Sequence, residues 1–229
     1  MASSTPIISL ASTKGGVGKT TLAFVLASAF ARRLPPNSEY RVACIDADPR
    51  RMLEALIRKS GNPGILSLAS DVEALLETLR DAQRRAGLVL IDLQGSANQA
   101  MLYAAGKSDL VIIPAQPSAF DVSEARTSAA VVHQAADLVG RQIALRVILT
   151  RTPVLKQRVT GHSRTQFEKA GLQVLPVEFV HRNAFRGMTY TGQEPYLQDA
   201  KSGAAENVEA IADAVAEVLR LPARVEAAA

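Results

Sequence analysis

The residues best suited to chemistry in this chain are a glycine-rich run and two lysines in the stretch LASTKGGVGKTTL, residues 10–22. Glycines let successive backbone N–H groups point at phosphate oxygens, a lysine neutralises the β- and γ-phosphates, and a hydroxyl can bind Mg²⁺. The stretch therefore predicts a nucleotide phosphate cradle. Its predicted ligand-binding residues are Gly15, Gly16, Val17, Gly18, Lys19, Thr20 and Thr21, with Lys19 as the catalytic cation and Thr20 on the metal.

The start of the cradle departs from the pattern G-x-x-x-x-G-K-[ST]. Thr13 stands where the first glycine is expected, and a second lysine, Lys14, follows it. A glycine-rich surface turn without a ligand is the alternative interpretation. The sequence disfavours it, because an apolar run precedes the turn and an apolar-periodic segment follows, which is the strand, loop and helix order of a phosphate cradle.

Three aspartates follow apolar runs and supply the carboxylates that phosphoryl chemistry needs. Asp46 and Asp48 lie in the segment IDADP, and Asp92 ends the segment VLID. Any one of them alone would most simply be a turn residue or a helix cap. Together with the cradle they predict a metal site, with Asp92 in the Mg²⁺ shell, Asp48 orienting the attacking water, and Asp46 as a supporting metal-shell or structural carboxylate.

Alternating strands and helices must position these residues. We predict strands over 7–11, 41–46, 88–93, 109–114, 144–150 and 172–177. We predict helices over 19–33, 50–59, 71–85, 119–139, 153–170 and 204–221, with an irregular segment over 181–198. Strands that are apolar throughout belong in a parallel sheet with helices on both faces. The fold class expected is thus α/β, a doubly wound, mostly parallel sheet flanked by helices, with the ligand at the carboxyl ends of the strands.

Length and composition indicate a single domain over residues 1–229, with 223–229 a frayed tail. Cys44 is the one cysteine, which excludes a disulfide framework and favours a buried structural thiol. No signal peptide or membrane-spanning run is recognisable, so a soluble, cytoplasmic protein is expected.

Charge is distributed unevenly along the chain. Residues 141–201 contain ten Lys or Arg against four Asp or Glu, whereas the remainder contains sixteen against eighteen. A local basic excess favours a face that binds a polyanion.

These motifs resemble those of the ParA/MinD family of deviant Walker A ATPases. The matching segments are KGGVGKTT at 14–21, DADP at 46–49, the strand end at Asp92, and IPAQPS at 113–118 leading to Asp121. They span roughly the first half of the chain. One departure is the sequence Asp92-Leu93-Gln94-Gly95, where family members often have Asp-x-Pro.

The resemblance implies ATP and Mg²⁺ as cofactors and an ATP-dependent sandwich homodimer. In that dimer Lys14 would act as a catalytic residue on the partner's phosphates, and hydrolysis would weaken the dimer as a timed switch. The family also places adenine near Gln116, Pro117 and the segment 177–179.

The branch of the family follows from charge. A membrane-positioning branch needs a basic terminal helix, but here that helix carries Glu206, Glu209, Asp213 and Glu217, so no membrane partner is expected. An iron–sulfur branch needs more cysteines than one. The remaining branch resembles partition ATPases without an N-terminal helix-turn-helix domain, which associate with the nucleoid by binding DNA without sequence preference. Candidate DNA-binding residues are Arg151, Lys156, Arg158, Arg164, Lys169, Arg182 and Arg186.

The resemblance further implies a ParB-like or cargo-adaptor protein that stimulates weak ATP hydrolysis, with a plasmid, a chromosome or a protein cluster as cargo. Three alternatives stay open at this point. They are a P-loop ligase or synthetase acting on a small metabolite, a MinD-like positioning ATPase, and a nucleotide-gated scaffold that barely hydrolyses ATP.

Overall fold

The computed structural model describes residues 5–95, 99–155 and 158–221. Its strands are β1 (Ile7–Leu10), β2 (Val42–Ala47), β3 (Ile65–Ala69), β4 (Val89–Leu93), β5 (Leu110–Ala115), β6 (Ala144–Thr152) and β7 (Phe179–Val180). They form one sheet in the order β3-β2-β4-β1-β5-β6-β7, and all neighbours are parallel. The predicted doubly wound parallel sheet is confirmed.

The strand order reverses around β1, which lies between β4 and β5 at the centre of the sheet. Leu10 at the end of β1 pairs with Asp92 on β4 and with Ile112 on β5, and Asp46 on β2 is the register partner of Asp92. Ligands of such sheets bind beyond the carboxyl ends of the strands at this reversal. The fold therefore brings the predicted cradle and two of the predicted carboxylates to one edge.

Helices cover both faces of the sheet. They are α1 (Lys19–Arg33), α2 (Met52–Ser60), α3 (Leu75–Arg85), α4 (Gln99–Lys107), α5 (Ala119–Val139), α6 (Arg158–Lys169), α7 (Asn183–Thr191), α8 (Pro195–Gln198) and α9 (Gly203–Leu219). One apolar core contains residues of α1, α2, α7 and α9, and another contains residues of α3, α4 and α5. Ile8 and Leu10 of β1 enter the first core and Ile7 the second, which is why this strand is apolar on both faces.

Helix α1 is the central helix of the first core. Phe24, Leu22 and Leu26 are fully buried, and each such side chain stabilises the fold by about 1.5–3 kcal/mol. The helix ends before Pro35 and Pro36, which cannot continue it. Because α1 is packed on nearly all sides, its N-terminus is held in a fixed position beside β1.

Several predicted elements differ from the structure. The predicted strand at 172–177 is wrong, since Val174 makes only an isolated bridge to Val147, and the last strand is instead Phe179–Val180. The segment 181–198 is not irregular, because it contains α7 and α8. Strand β3 and helix α4 were not predicted. The predicted burial of Cys44 is confirmed.

The terminal helix α9 packs its apolar stripe into the core, as predicted. Val208, Ile211 and Val215 are buried. Part of its acidic face is also engaged, because Arg33 of α1 contacts Glu209 at 2.6 Å and Asp213 at 2.6 Å. The carboxylates of α9 thus help to attach it to α1.

Among the residues that the structure describes, no helix has both the length and the apolarity required to cross a bilayer.

Candidate functional site

The loop between β1 and α1 forms the centre of the site. Gly16 and Gly18 have φ values of 72° and 96°, a left-handed conformation that glycine adopts without steric cost. Gly18 is the N-cap of α1, no side chain caps this helix, and its first turn carries no acidic residue. The first N–H groups and the positive end of the helix dipole are therefore available to an anion.

Lys19 lies inside the loop. It is 8% exposed, and its Nζ donates a hydrogen bond to the carbonyl of Lys14 at 3.2 Å. Burial lowers the pKa of Lys19, while Asp92 and Asp48 act in the opposite direction. A buried ammonium held by backbone carbonyls of the same loop is positioned to meet a phosphate.

Asp92 fits the predicted Mg²⁺ role. Its side chain is 1% exposed, and no hydrogen bond of normal geometry reaches either carboxylate oxygen within the described residues. Burial raises the pKa of Asp92 to about 7, and the nearby Thr20 hydroxyl and Lys19 only partly offset this. A buried carboxylate whose burial is only partly offset is costly, and oxygen is the ligand atom that Mg²⁺ prefers.

The contacts of Asp46 favour the structural one of its two predicted roles. It is fully buried, and its two carboxylate oxygens accept hydrogen bonds from the backbone N–H groups of Asp48, at 3.1 Å, and Glu54, at 3.0 Å. These bonds hold the loop between β2 and α2. These contacts agree with the structural role, and a place for Asp46 in the metal shell stays a prediction, since each carboxylate oxygen can accept more than one partner.

Asp48 lies on the wall of the cavity that the cradle forms. It is half-buried, and its Oδ1 accepts a hydrogen bond from the N–H of Arg50 at 2.9 Å. Its other oxygen has no hydrogen-bond partner given by the described residues, so it is available to a water molecule in the cavity.

Lys14 extends from the mouth of the cradle to α5. Its Nζ contacts Asp121 Oδ2 at 2.7 Å, and its side chain is 37% exposed. Burial alone would raise the pKa of Asp121, but Lys14, Ser118 and the N–H of Gln116 hold it below its ordinary value. Lys14 is thus paired within its own chain while part of it faces solvent.

Thr13, in the place of the missing glycine, attaches the loop to α5. Its Oγ1 donates to Glu124 Oε2 at 2.5 Å, and its N–H donates to Ser128 Oγ at 3.1 Å. Together with Lys14 and Asp121, these contacts fix the first residues of the loop against one face of α5. The local sequence does not predict the contact between Thr13 and Glu124, because the two residues are 111 positions apart.

Two adjoining cavities flank the loop. The phosphate cavity has a volume of about 370 Å³ and is lined by Gly15, Gly16, Gly18, Lys19, Thr20, Thr21, Asp48, Arg50, Met52, Gln94, Gly95 and Arg151. The second cavity has a volume of about 340 Å³, and its lining includes Val17, Gly18, Thr21, Thr150, Arg151, Phe179, Val180, His181, Arg182, Phe185, Arg186, Thr189 and Tyr190. The phenyl rings of Phe179 and Phe185 lie 4.7 Å apart at their centroids.

The structure does not bring Gln116 and Pro117 to either cavity. The N–H of Gln116 donates instead to Asp121 Oδ1 at 2.9 Å, so this segment supports the residue that holds Lys14. From the predicted segment 177–179, Phe179 does line the second cavity. Sequence reasoning missed α7 as a wall of this cavity because it treated residues 181–198 as irregular.

The structure describes six of the seven candidate DNA-binding residues. Three of them, Arg151, Arg182 and Arg186, line the second cavity, and the other three belong to α6. On α6, Arg158 and Lys169 are exposed, whereas Arg164 donates to the carbonyl of Leu175 at 2.8 Å. Lys156 lies outside the described residues.

In the described parts of the chain, no cluster of three or more His, Cys, Asp or Glu side chains has the arrangement of a metal site. Mg²⁺ needs no such cluster when a nucleotide and waters supply most of its ligands. Thr20 and Asp92 are the side chains that fit it here.

Comparison with known proteins agrees with this geometry. ParA of Rhizobium radiobacter is 28% identical over 217 residues, which cover 92% of this chain and 96% of that protein. The ATP complex of a McdA variant from Cyanothece superposes with a TM-score of 0.74 at 18% identity, over 98% of this chain and 100% of the other. The Mg-ADP complex of MinD from Pyrococcus horikoshii gives a TM-score of 0.73 at 16% identity, over 96% and 99%.

The family model described as the CobQ/CobB/MinD/ParA nucleotide binding domain matches residues 8–177. The chain therefore belongs to this family of ParA- and MinD-like nucleotide-binding ATPases.

Proposed function

We propose that this protein is a Mg²⁺-dependent ATPase that dimerises on ATP, binds DNA without sequence preference, and hydrolyses ATP slowly to position or segregate a cargo. The observation that carries the proposal is the second lysine of the cradle, Lys14. It directly precedes the glycines that line the phosphate cavity, its Nζ contacts Asp121 on α5 at 2.7 Å, and 37% of its side chain is exposed. Lys19 already supplies a cation for this chain's own nucleotide, so the exposed Lys14 is available to the nucleotide of a second copy.

Nucleotide binding follows from the two cavities. The phosphate cavity offers the free N-terminus of α1 and the ammonium of Lys19, which suit the β- and γ-phosphates. The second cavity offers the rings of Phe179 and Phe185, which suit a flat base. Thr20 and Asp92 would hold Mg²⁺, which when bound neutralises charge on the phosphates.

Hydrolysis needs a water molecule in line with the γ-phosphate. Asp48 presents a carboxylate at the wall of the phosphate cavity, where it would orient that water. Lys19 would stabilise the charge that develops on the transferred phosphoryl group. The same cavity wall contains Gln94 and Gly95, so the loop after β4 would contact the γ-phosphate, the part of the nucleotide that hydrolysis removes.

Dimerisation would complete the site. Lys14 would leave Asp121 and reach the phosphates of a second copy, as an arginine finger does. Two large apolar side chains are exposed, since Phe120, beside Asp121 in the first turn of α5, is 83% exposed and Leu155 before α6 is 80% exposed. Burying such residues would favour association of two copies around their nucleotides.

DNA binding is assigned to α6 within the basic half of the chain. Arg158 and Lys169 are exposed there, and Arg186 is exposed at the rim of the second cavity. Cations that neutralise phosphates make binding salt-dependent, with a slope of about 0.9 in log affinity for each phosphate contacted. A ParB-like or cargo-adaptor protein would then stimulate hydrolysis and release the dimer from DNA.

A membrane role in the manner of a terminal amphipathic anchor has less support. The apolar stripe of α9 is buried in the core, and Glu209 and Asp213 on its other side bind Arg33. The apolar stripe of α9 is therefore not available to a lipid surface, and its exposed side chains Glu206, Asp213 and Glu217 carry the sign that an anionic bilayer repels.

The test measures binding of the full-length protein to a fluorescent random-sequence duplex with ATP, with ADP and without nucleotide. We expect binding in the presence of ATP but not with ADP or without nucleotide, and a steep fall in DNA affinity as the salt concentration rises. Arg158→Glu and Lys169→Glu should reduce the salt slope. Arg84→Glu, an equal charge change at an exposed position on α3, serves as the matched control. Equal, negligible binding in all three nucleotide states would rule out the DNA role.

A further inference from the structure

Arg151 adopts a left-handed backbone conformation that is uncommon for a residue other than glycine. Its φ is 54°, and in the described part of the chain only Arg51 and Arg220 share this property among non-glycine residues. Arg220 terminates α9, a position where left-handed residues are common. Arg51 donates hydrogen bonds from its guanidinium to the carbonyls of Asp46 and Ser70. Arg151 is neither at a helix end nor hydrogen-bonded through its guanidinium within the described residues.

The residues on either side of Arg151 hold it in this conformation. Thr150 and Thr152 are both fully buried, and Thr150 Oγ1 donates to the carbonyl of Val17 in the cradle at 2.9 Å. The register between β6 and β7 shifts between these two threonines. Such a bulge redirects one side chain out of the regular strand pattern, and here that side chain is Arg151.

The redirected side chain lies where the two cavities meet. Gly18, Thr21 and Arg151 are the described residues that line both the phosphate cavity and the second cavity. Arg151 is exposed and has no carboxylate within ion-pairing distance in the described parts of the chain. An unpaired guanidinium at such a junction suits a phosphate oxygen, which it binds with charge-assisted hydrogen bonds.

We propose that Arg151 binds the α-phosphate of the nucleotide. This inference rests on the proposed function, because it takes the phosphate cavity to hold the β- and γ-phosphates and the second cavity to hold the nucleoside. The α-phosphate connects these two parts, so it must pass the junction that Gly18, Thr21 and Arg151 form. The left-handed backbone is then maintained for ligand binding, since backbone strain of this kind concentrates at functional sites.

The test uses Arg151→Gly, because glycine accepts the same φ and removes the guanidinium. We expect the affinity for ADP, measured by calorimetry, to fall about 10- to 100-fold, the loss expected for a hydrogen bond to a charged group. Affinity for adenosine should change little. The thermal midpoint of the nucleotide-free protein should stay equal or rise, because the backbone strain is relieved. Arg151→Lys, which retains a cation without the planar fork, should recover part of the ADP affinity.

Arg220→Gly is the matched control, since it relieves the same backbone conformation at an exposed position outside both cavities. It should leave ADP affinity unchanged. The inference is overturned if Arg151→Gly binds ADP as tightly as the parent, or if it loses adenosine and ADP equally together with a lower thermal midpoint. Failure of the proposed function is distinguishable, because the parent and Lys19→Ala would then bind ADP equally weakly.

Discussion

Gly95 provides a sensitive test of how closely the loop after β4 approaches the cradle. A Cβ atom placed on Gly95 would lie 3.2 Å from Lys19 Nζ, 3.3 Å from the N of Gly15 and 3.3 Å from the carbonyl oxygen of Lys14. Two of these three atoms are backbone, so Gly95→Ala must displace the cradle by a few tenths of an ångström. Overpacking of this kind costs about 1–3 kcal/mol, which corresponds to a loss of nucleotide affinity of roughly 5- to 150-fold if the bound state bears it.

The measurement is calorimetric titration of Gly95→Ala with a non-hydrolysable ATP analogue and Mg²⁺, accompanied by thermal unfolding of the nucleotide-free protein. Gly161→Ala on α6 is the control, because a Cβ there meets no atom within 4 Å. It should leave affinity unchanged and favour the helix by up to about 1 kcal/mol. If Gly95→Ala binds the analogue like the parent and unfolds at the same temperature, the close packing of this loop on the cradle is refuted.

Three further predictions concern the carboxylates. Asp92→Asn should abolish the Mg²⁺ dependence of nucleotide binding while leaving the metal-free protein at least as stable, since it removes a buried charge whose burial Thr20 and Lys19 only partly offset. A less stable variant with normal Mg²⁺ dependence would contradict the assignment. Asp48→Ala should bind ATP, accumulate dimer and release no phosphate, and normal phosphate release would exclude its role with water. Burial alone would raise the pKa of Glu209, but Arg33 and Arg32 hold it below its ordinary value of 4.5. The ionised Glu209 therefore stabilises the fold fully above pH 4.5, and this contribution is lost as the pH falls through the lowered pKa. Glu209→Gln should therefore lower the free energy of unfolding by about 1–3 kcal/mol at neutral pH and flatten the loss of stability in acid, as measured by denaturant titration. The control is Glu206→Gln at an exposed position, which should behave like the parent.

The central part of the fold was predictable because its strands are apolar throughout. Each of β1, β2, β4 and β5 is buried on both faces, and such runs are distinctive in sequence. Strand β3 lies at the sheet edge and is only partly buried, which leaves a weaker pattern. The predicted strand at 172–177 was wrong because Leu172 and Leu175 enter the core from a segment whose backbone makes a single bridge to the sheet.

The candidate site was predictable where its residues are adjacent in sequence. The cradle and the strand-end aspartates reached the same edge of the sheet, as the parallel topology requires. Contacts between distant segments were beyond sequence reasoning. The pairing of Thr13 with Glu124, the enclosure of the second cavity by α7, and the location of Arg151 between the two cavities depend on how crossover connections pack.

The assignment of Asp46 shows a related limit. Its place beside Asp92 in the sheet register agrees with a metal role, and residue type alone cannot separate a ligand from a loop support. The deciding observation is the pair of backbone N–H groups that occupy its carboxylate. A buried carboxylate such as Asp92, whose oxygens have no hydrogen-bond partner of normal geometry among the described residues, is the stronger candidate for a metal ligand.

The central claim is that Lys14 completes the site of a second copy when ATP is bound. The most direct measurement is analytical ultracentrifugation of three proteins that all carry Asp48→Ala to prevent hydrolysis. They are the parent, Lys14→Ala, and the control Lys107→Ala on α4, each measured with ADP and with ATP. We predict that the parent and the Lys107 variant are dimers with ATP and monomers with ADP, and that the Lys14 variant binds ATP but stays monomeric. An ATP-bound Lys14→Ala dimer as stable as the parent dimer, or a parent that stays monomeric with ATP, would contradict the account.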